Sequence, residues 1–211
     1  MTIETSSINL ARTSGNSTVI VNFSSTQDPK WAGVISLPPY ARLPLEANVR
    51  NDIYVLRGQL TERAIQHSSH TFLSRFTVAE LYAGSQGALL FMYRDCVTTL
   101  PQPAIEKTIT DSKLKWHAGG AEGMQVAPLL EGQQRLMLVS WLPGVRMNAH
   151  AHPFGEEIFV LEGALRDEYG CHVAGTWQRL HPGTVHAPYA EIKTRILLRN
   201  GHLGHLGHLR I

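Results

Sequence analysis

GVRMNAHAHPFGEEIFVLEG, residues 144–163, sets His150 and His152 one residue apart and then reverses the chain. Alternate residues of a strand face the same side, so the two imidazoles project together. Pro153, Phe154 and Gly155 supply a turn, and Glu156 opens the apolar run IFVL. A hairpin of this shape brings a carboxylate back beside the two histidines. A fourth candidate, His186, follows the Pro-Gly turn of HPGTVHAP. Three imidazoles and one carboxylate suit Zn²⁺ or another first-row divalent ion, with bonds of about 2.0–2.2 Å. A lone strand histidine is ordinarily a satisfied polar residue, and a glutamate after a turn is ordinarily solvated. A structural role, however, requires none of these spacings, and here all of them occur together. Glu157 belongs to the opposite face of the strand and is not counted as a ligand. Arg146 and Asn148 share parity with His150 and are expected to line the pocket of a regular strand.

The flanking sequence is β throughout. From Thr18 onward short apolar runs alternate with turn residues: TVIVNF, AGVISL, IYVLRGQL, TFLSRF and ALLFMY. Each is rich in β-branched or aromatic residues, and helical spacing is hard to find over longer windows. Many short strands at regular spacing predict a sandwich or barrel. The second half also repeats the first. IYVLRGQLTER at 53–63 lies over IFVLEGALRDE at 158–168, an offset of 105, and the hydrophobic rhythm agrees along most of both halves. A period near 100 residues is too long for a solenoid unit and predicts two duplicated barrels.

The motif residues resemble a known family. Gly144, His150, His152, Glu156 and Gly163 meet every interval of the first cupin motif. Gly175, Gly183 and His186 fit the second, except that its proline stands one place late at Pro182, with His181 in the expected position. The details EEIFVLEG, RDEYG, AGTW and HPGTVHAP, across residues 120–200, resemble the cupin domain of ChrR-type zinc-dependent anti-sigma factors. The resemblance implies an all-β chain of two tandem jelly-roll barrels and metal ligands at His150, His152, Glu156 and His186. Zinc is the expected ion, with iron, manganese or nickel as the alternatives. It also implies a stress or small-molecule sensor in transcriptional regulation, with a sigma factor as partner. The helical sigma-binding domain of that family, with its His and Cys-x-x-Cys zinc site, has no counterpart in these 211 residues. The same ligand set occurs in cupin dioxygenases, so an Fe(II) enzyme acting on a small organic substrate is the second expectation.

The first copy is expected to be metal-free. Opposite the ligands it offers Glu46 or nearby, Asn48, Asn51 and Leu81, which make a poor donor set. His67 and His70 read as residues of a solvated loop. The expected organisation is a flexible arm at 1–17, a barrel without ligands at 18–100, a polar linker or crossing strand near 95–117, a metal-binding barrel at 115–201 and a His-rich tail from 202. The tail, GHLGHLGHLRI with its preceding glycine, has a period of three that suits no strand and is expected to be exposed.

Composition narrows the classes further. A net charge of +2 without a basic run argues against nucleic-acid binding. No apolar stretch has the length of a membrane span or a signal peptide. The two cysteines, Cys96 and Cys171, form no framework, and a reducing cytoplasm is the expected setting. A homodimer is expected on the resemblance to other cupins.

Overall fold

The two VLxG sequences do the same work in each half. Gly58 and Gly163 have φ of 79° and 77°, the left-handed region that glycine enters without strain. A Cβ at Gly58 would lie 2.2 Å from the carbonyl oxygen of Gly87, and one at Gly163 would lie 2.3 Å from that of Lys193. The glycine lets a long strand bend and leave its partner at the same point in both copies.

The computed structural model describes residues 3–10, 16–45, 49–76, 80–96, 106–132 and 134–203. The chain divides into two compact units, Met1–Leu10 with Leu114–Ile211, and Ala11–Lys113. The fold is all-β, two jelly-roll barrels in tandem. The described residues contain one short helical turn, the 3-10 segment Asp111–Lys113.

In the second barrel a seven-stranded antiparallel sheet runs in the order Ile3–Ser7, Thr176–Leu180, Glu156–Glu162, Thr194–Asn200, Arg135–Trp141, Met124–Leu130 and His117–Ala118. Two small ladders complete it: His150–Ala151 with Val185–His186, and Ala164–Asp167 with Gly170–Val173. In the first barrel the path is Val19–Asn22, Lys30–Leu37, Leu81–Cys96, Val49–Glu62, Phe72–Arg75 and Lys107–Ile109. Registers repeat as well as order. Glu157 sits opposite Arg179, and Asp52 opposite Ser74, the offset of 105 read from the sequence.

Three expectations differ from the structure here. Part of the expected flexible arm, Ile3–Ser7, is a strand that pairs with Thr176–Leu180. An open sheet edge presents unpaired backbone groups, and a short polar strand covers it without needing an apolar face. Its polarity hid it. Of the two readings of 95–117, a polar linker or a crossing strand, the described part takes the strand in place of the linker at Lys107–Ile109, on the equivalent edge of the first barrel beside Phe72–Arg75. His67 is no solvated loop residue: it is buried in the strand Ile65–Ser68, with Nε2 3.5 Å from Glu62 Oε2. His70, in contrast, is exposed. Glu46, Asn48 and the last eight residues of the chain lie outside the described residues.

The two interiors are filled differently. In the first barrel Leu43, Leu45, Ile53, Leu81, Leu90 and Met92 belong to one continuous buried apolar cluster. Asn51 turns its amide to the carbonyl of Val49 at 3.0 Å. In the second barrel Ile158, Val160, Leu165, Leu180 and Ile196 pack as the core but leave a cavity of about 150 Å³.

Candidate metal centre

The strand period places the first pair of donors. His150 lies directly opposite His186 in the ladder between His150–Ala151 and Val185–His186. Cross-strand neighbours on one face meet, and these ring centroids are 4.6 Å apart. His152 follows on the same side, 4.9 Å from His150 and 5.6 Å from His186 between centroids. The 153–155 turn is closed by the Gly155 N–H on the His152 carbonyl at 3.1 Å, and the Gly183 N–H donates to that same carbonyl at 3.2 Å. One peptide group thus ties together the two turns that carry the donors.

One nitrogen from each of the three histidines lies within 4.8 Å of the others. Glu156 comes in from the first residue of Glu156–Glu162. Its Oε2 is 3.0 Å from His152 Nε2, and its Oε1 is 3.5 Å from His186 Nε2. The structure therefore brings together all four side chains expected from the sequence. Among the described residues, no comparable group of donors occurs in the first barrel.

Outer contacts fix the rings. The His150 Nδ1–H donates to the Asn148 carbonyl at 2.8 Å, which leaves its Nε2 lone pair for a ligand. Asp167 stands behind His186, with Oδ2 3.9 Å from Nδ1. Its other oxygen accepts from His172 Nε2 and from the Tyr169 N–H, both at 2.9 Å. Burial pushes the Asp167 carboxyl up, but hydrogen bonds from His172, His186 and the Tyr169 backbone outweigh it and hold it well below the usual range. Asp167 is therefore an anion throughout the working pH range. Burial likewise opposes charge on His152, yet the adjacent Glu156 outweighs it and raises that imidazole.

Three ring nitrogens at the centre, His152 Nε2 and both of His186, are buried and meet only the carboxylates of Glu156 and Asp167, without well-formed hydrogen-bond geometry. Buried polar atoms are normally satisfied, because leaving one unmade costs about 1–3 kcal/mol. A divalent ion accepting one lone pair from each of His150, His152 and His186, with Glu156 supplying charge, fits the donor set, and the same four side chains would hold it.

The two expected pocket residues fall elsewhere. Arg146 and Asn148 are exposed and do not line the cavity. The regular strand on which their parity rested begins only at His150; before it, Arg146 makes an isolated bridge to Tyr189 and stacks over that ring at 4.2 Å. Asn148 serves the centre through its carbonyl alone. The cavity is walled instead by Met124, Met137 and Met147 together with Ile158, Ile196 and Leu198.

The start of the tail is also a correction. His202 is 1% exposed, with Nε2 2.9 Å from Glu157 Oε2. Arg179 Nε donates to Glu157 Oε1 at 2.6 Å, and Arg199 Nη1 lies 3.7 Å from Oε2. Burial raises the Glu157 carboxyl, but His202, Arg179 and Arg199 together pull it below its ordinary value. A carboxylate buried this deeply needs compensation, and the first tail histidine is drawn in to supply it. The Leu203 N–H also donates to the Phe154 carbonyl at 3.0 Å, pinning the tail to the ligand-bearing turn.

Asp167 was not found from the sequence. A usable signal for Asp167 existed: an acid five residues before a histidine across a tight hairpin occurs in both copies, as Glu62 with His67 and as Asp167 with His172.

A pair of jelly-roll barrels, one carrying His-x-His, Glu and a later His around a point, defines a bicupin. Residues 105–204 match the family described as the ChrR cupin-like domain. No curated protein sequence matches. Among solved structures, the cupin 2 conserved barrel domain protein from Leptotrichia buccalis aligns at a TM-score of 0.65 and 15% identity, covering 92% of this chain and 95% of its own. AerE from Microcystis aeruginosa aligns at 0.69 and 13%, covering 93% and 96%. Salicylate 1,2-dioxygenase from Pseudoaminobacter salicylatoxidans aligns at 0.61 and 12%, covering 82% and 68%. At these identities the likeness is one of fold.

Proposed function

We propose that this chain is a metal-binding bicupin that senses a stress signal or small molecule in transcriptional regulation, as the resemblance to ChrR-type anti-sigma factors implies. The observation that carries the metal reading is the convergence of one nitrogen from each of His150, His152 and His186 within 4.8 Å, with the Glu156 carboxylate against His152 and His186. Zinc is the ion proposed: three imidazoles and a carboxylate close a tetrahedral site without needing a further ligand. Such a site works by changing the order of its surroundings when a ligand or oxidant reaches it. The regulatory partner proposed is a sigma factor, the setting the cytoplasm and the assembly a homodimer.

A second reading is favoured by the cavity beside the donors and by the fold shared with salicylate 1,2-dioxygenase. In it the ion is Fe(II), which retains open positions and supplies oxygen chemistry when bound. The protein would hold the organic substrate against the ion and keep water out with its apolar wall.

Elemental analysis of protein purified without added metal separates the two. Near-stoichiometric zinc with no oxygen uptake on aromatic ketones supports the sensor; iron with substrate-dependent uptake removes it in favour of the enzyme. Capture of a sigma factor from cells of the source organism tests the regulatory part, and retention of none contradicts it.

A further inference from the structure

The cavity next to the four donors is selective in what it offers. Its volume of about 150 Å³ is that of an engineered apolar cavity that takes up benzene. Its walls come from five strands together with Met147 and Pro188, and are valine, isoleucine, leucine, proline and methionine over most of their extent. No lysine or arginine lines it, and the donor set brings its only carboxylate. A second charge on a ligand, beyond any group touching the ion, would be buried without a counter-charge, which costs far more than an apolar contact returns. Unbranched methionines at Met124, Met137 and Met147 adapt to the shape of an apolar guest.

Two further polar groups line the same space. Asn200 is the register partner of Glu156, at the donor end. Trp141, on the strand Arg135–Trp141, stands opposite Thr194, at the other end of the strand that carries Asn200. Trp141 is 2% exposed, and its indole N–H has no hydrogen-bond partner. An indole can only donate. A buried donor without an acceptor, on the wall of a cavity, asks the occupant to bring one.

We infer that the second barrel binds an uncharged organic molecule of about benzene size, with an apolar body and a hydrogen-bond acceptor that receives the Trp141 N–H. Ketones, lactones and ethers of six to eight heavy atoms belong to this class, and small dicarboxylates do not. The inference rests on reading the centre as a metal-bearing small-molecule pocket, but the body of the ligand is held by the wall rather than by the ion.

The test uses the full chain, metal-loaded and metal-stripped, with metal content read on the same samples. Cyclohexanone, toluene and succinate are the probes, followed by calorimetry and ligand-observed NMR. Cyclohexanone and toluene are expected to bind in both states, and succinate in neither. Trp141→Phe keeps the aromatic body and removes the donor. It should weaken cyclohexanone by about 3- to 10-fold while leaving toluene binding and metal content unchanged. Succinate binding more tightly than cyclohexanone overturns the inference, as does cyclohexanone affinity unmoved by Trp141→Phe. Protein that takes up no metal on loading yet still binds cyclohexanone contradicts the metal reading and sustains this one.

Discussion

The two barrels share a strand order, a register and a bent glycine, yet among the described residues one interior is lined by a packed apolar cluster and the other by a cavity. At the offset of 105, Leu45 stands for His150, Asn51 for Glu156 and Leu81 for His186. The first interior closes over these residues as one apolar cluster, while the second keeps donors at one end and open volume behind them. Even the supporting hairpin is conserved in form and altered in use. Glu62 and His67 meet each other and Arg75 in the first copy, whereas Asp167 and His172 meet each other and reach His186 in the second. Ladders and turns specify the barrel, and a handful of inward side chains decide whether it is packed or functional.

The sharpest break of the comparison is a ligand deletion. His186→Ala should lower metal affinity by about 100-fold or more, because its partners then leave a weak, open site. Asn51→Ala, at the counterpart of Glu156, should leave metal content unchanged. Equal loss in both would erase the distinction between the barrels; inductively coupled plasma analysis reads it.

Packing gives the next effect. Leu81→Ala removes a fully buried side chain from the first barrel and should cost about 2–5 kcal/mol in chemical denaturation. Val126→Ala, on the cavity wall of the second barrel, deletes contacts that are already incomplete and should cost about 1 kcal/mol or less. The reverse order would mean that the cavity is not an open space.

Asp167→Asn tests the hairpin. It keeps the shape, removes the charge behind His186 and should weaken metal binding by about 10- to 100-fold. Glu62→Gln, its counterpart, should have no effect on metal content. A competitive chelator titration separates the two.

The smallest effect is on pH dependence. In the first barrel burial depresses His67 more than Glu62 raises it, with Arg75 adding to the depression. The folded state therefore prefers the neutral imidazole, and the unfolded chain takes up the proton first. Stability from this group is present above the ordinary imidazole pKa of 6.5 and is lost as pH falls below it. His67→Gln should flatten the stability profile of metal-free protein between neutral pH and pH 5, measured by urea midpoints at each pH.

The four donors were legible because their spacing is imposed by strand period and turn length, which the sequence displays directly. The cavity was not legible: it is defined by what Met124, Met137 and Met147, far apart in the chain, leave unfilled. Ile3–Ser7 escaped notice because an edge strand needs backbone pairing and no apolar alternation. Arg146 and Asn148 were placed by extending strand parity back through a segment that is irregular apart from the Arg146 bridge to Tyr189. His202 was masked by the regularity of its own repeat; only the buried charge of Glu157, invisible in one dimension, explains why the first Gly-His-Leu unit folds in while belonging to a tail.

The most direct measurement is the metal-to-chain ratio of the full protein purified without added metal, beside His150→Ala prepared identically. One divalent ion per chain, absent from the variant while its β circular dichroism persists, is the result this account predicts. Two ions per chain, none in the unaltered protein, or an ion retained by His150→Ala would contradict it.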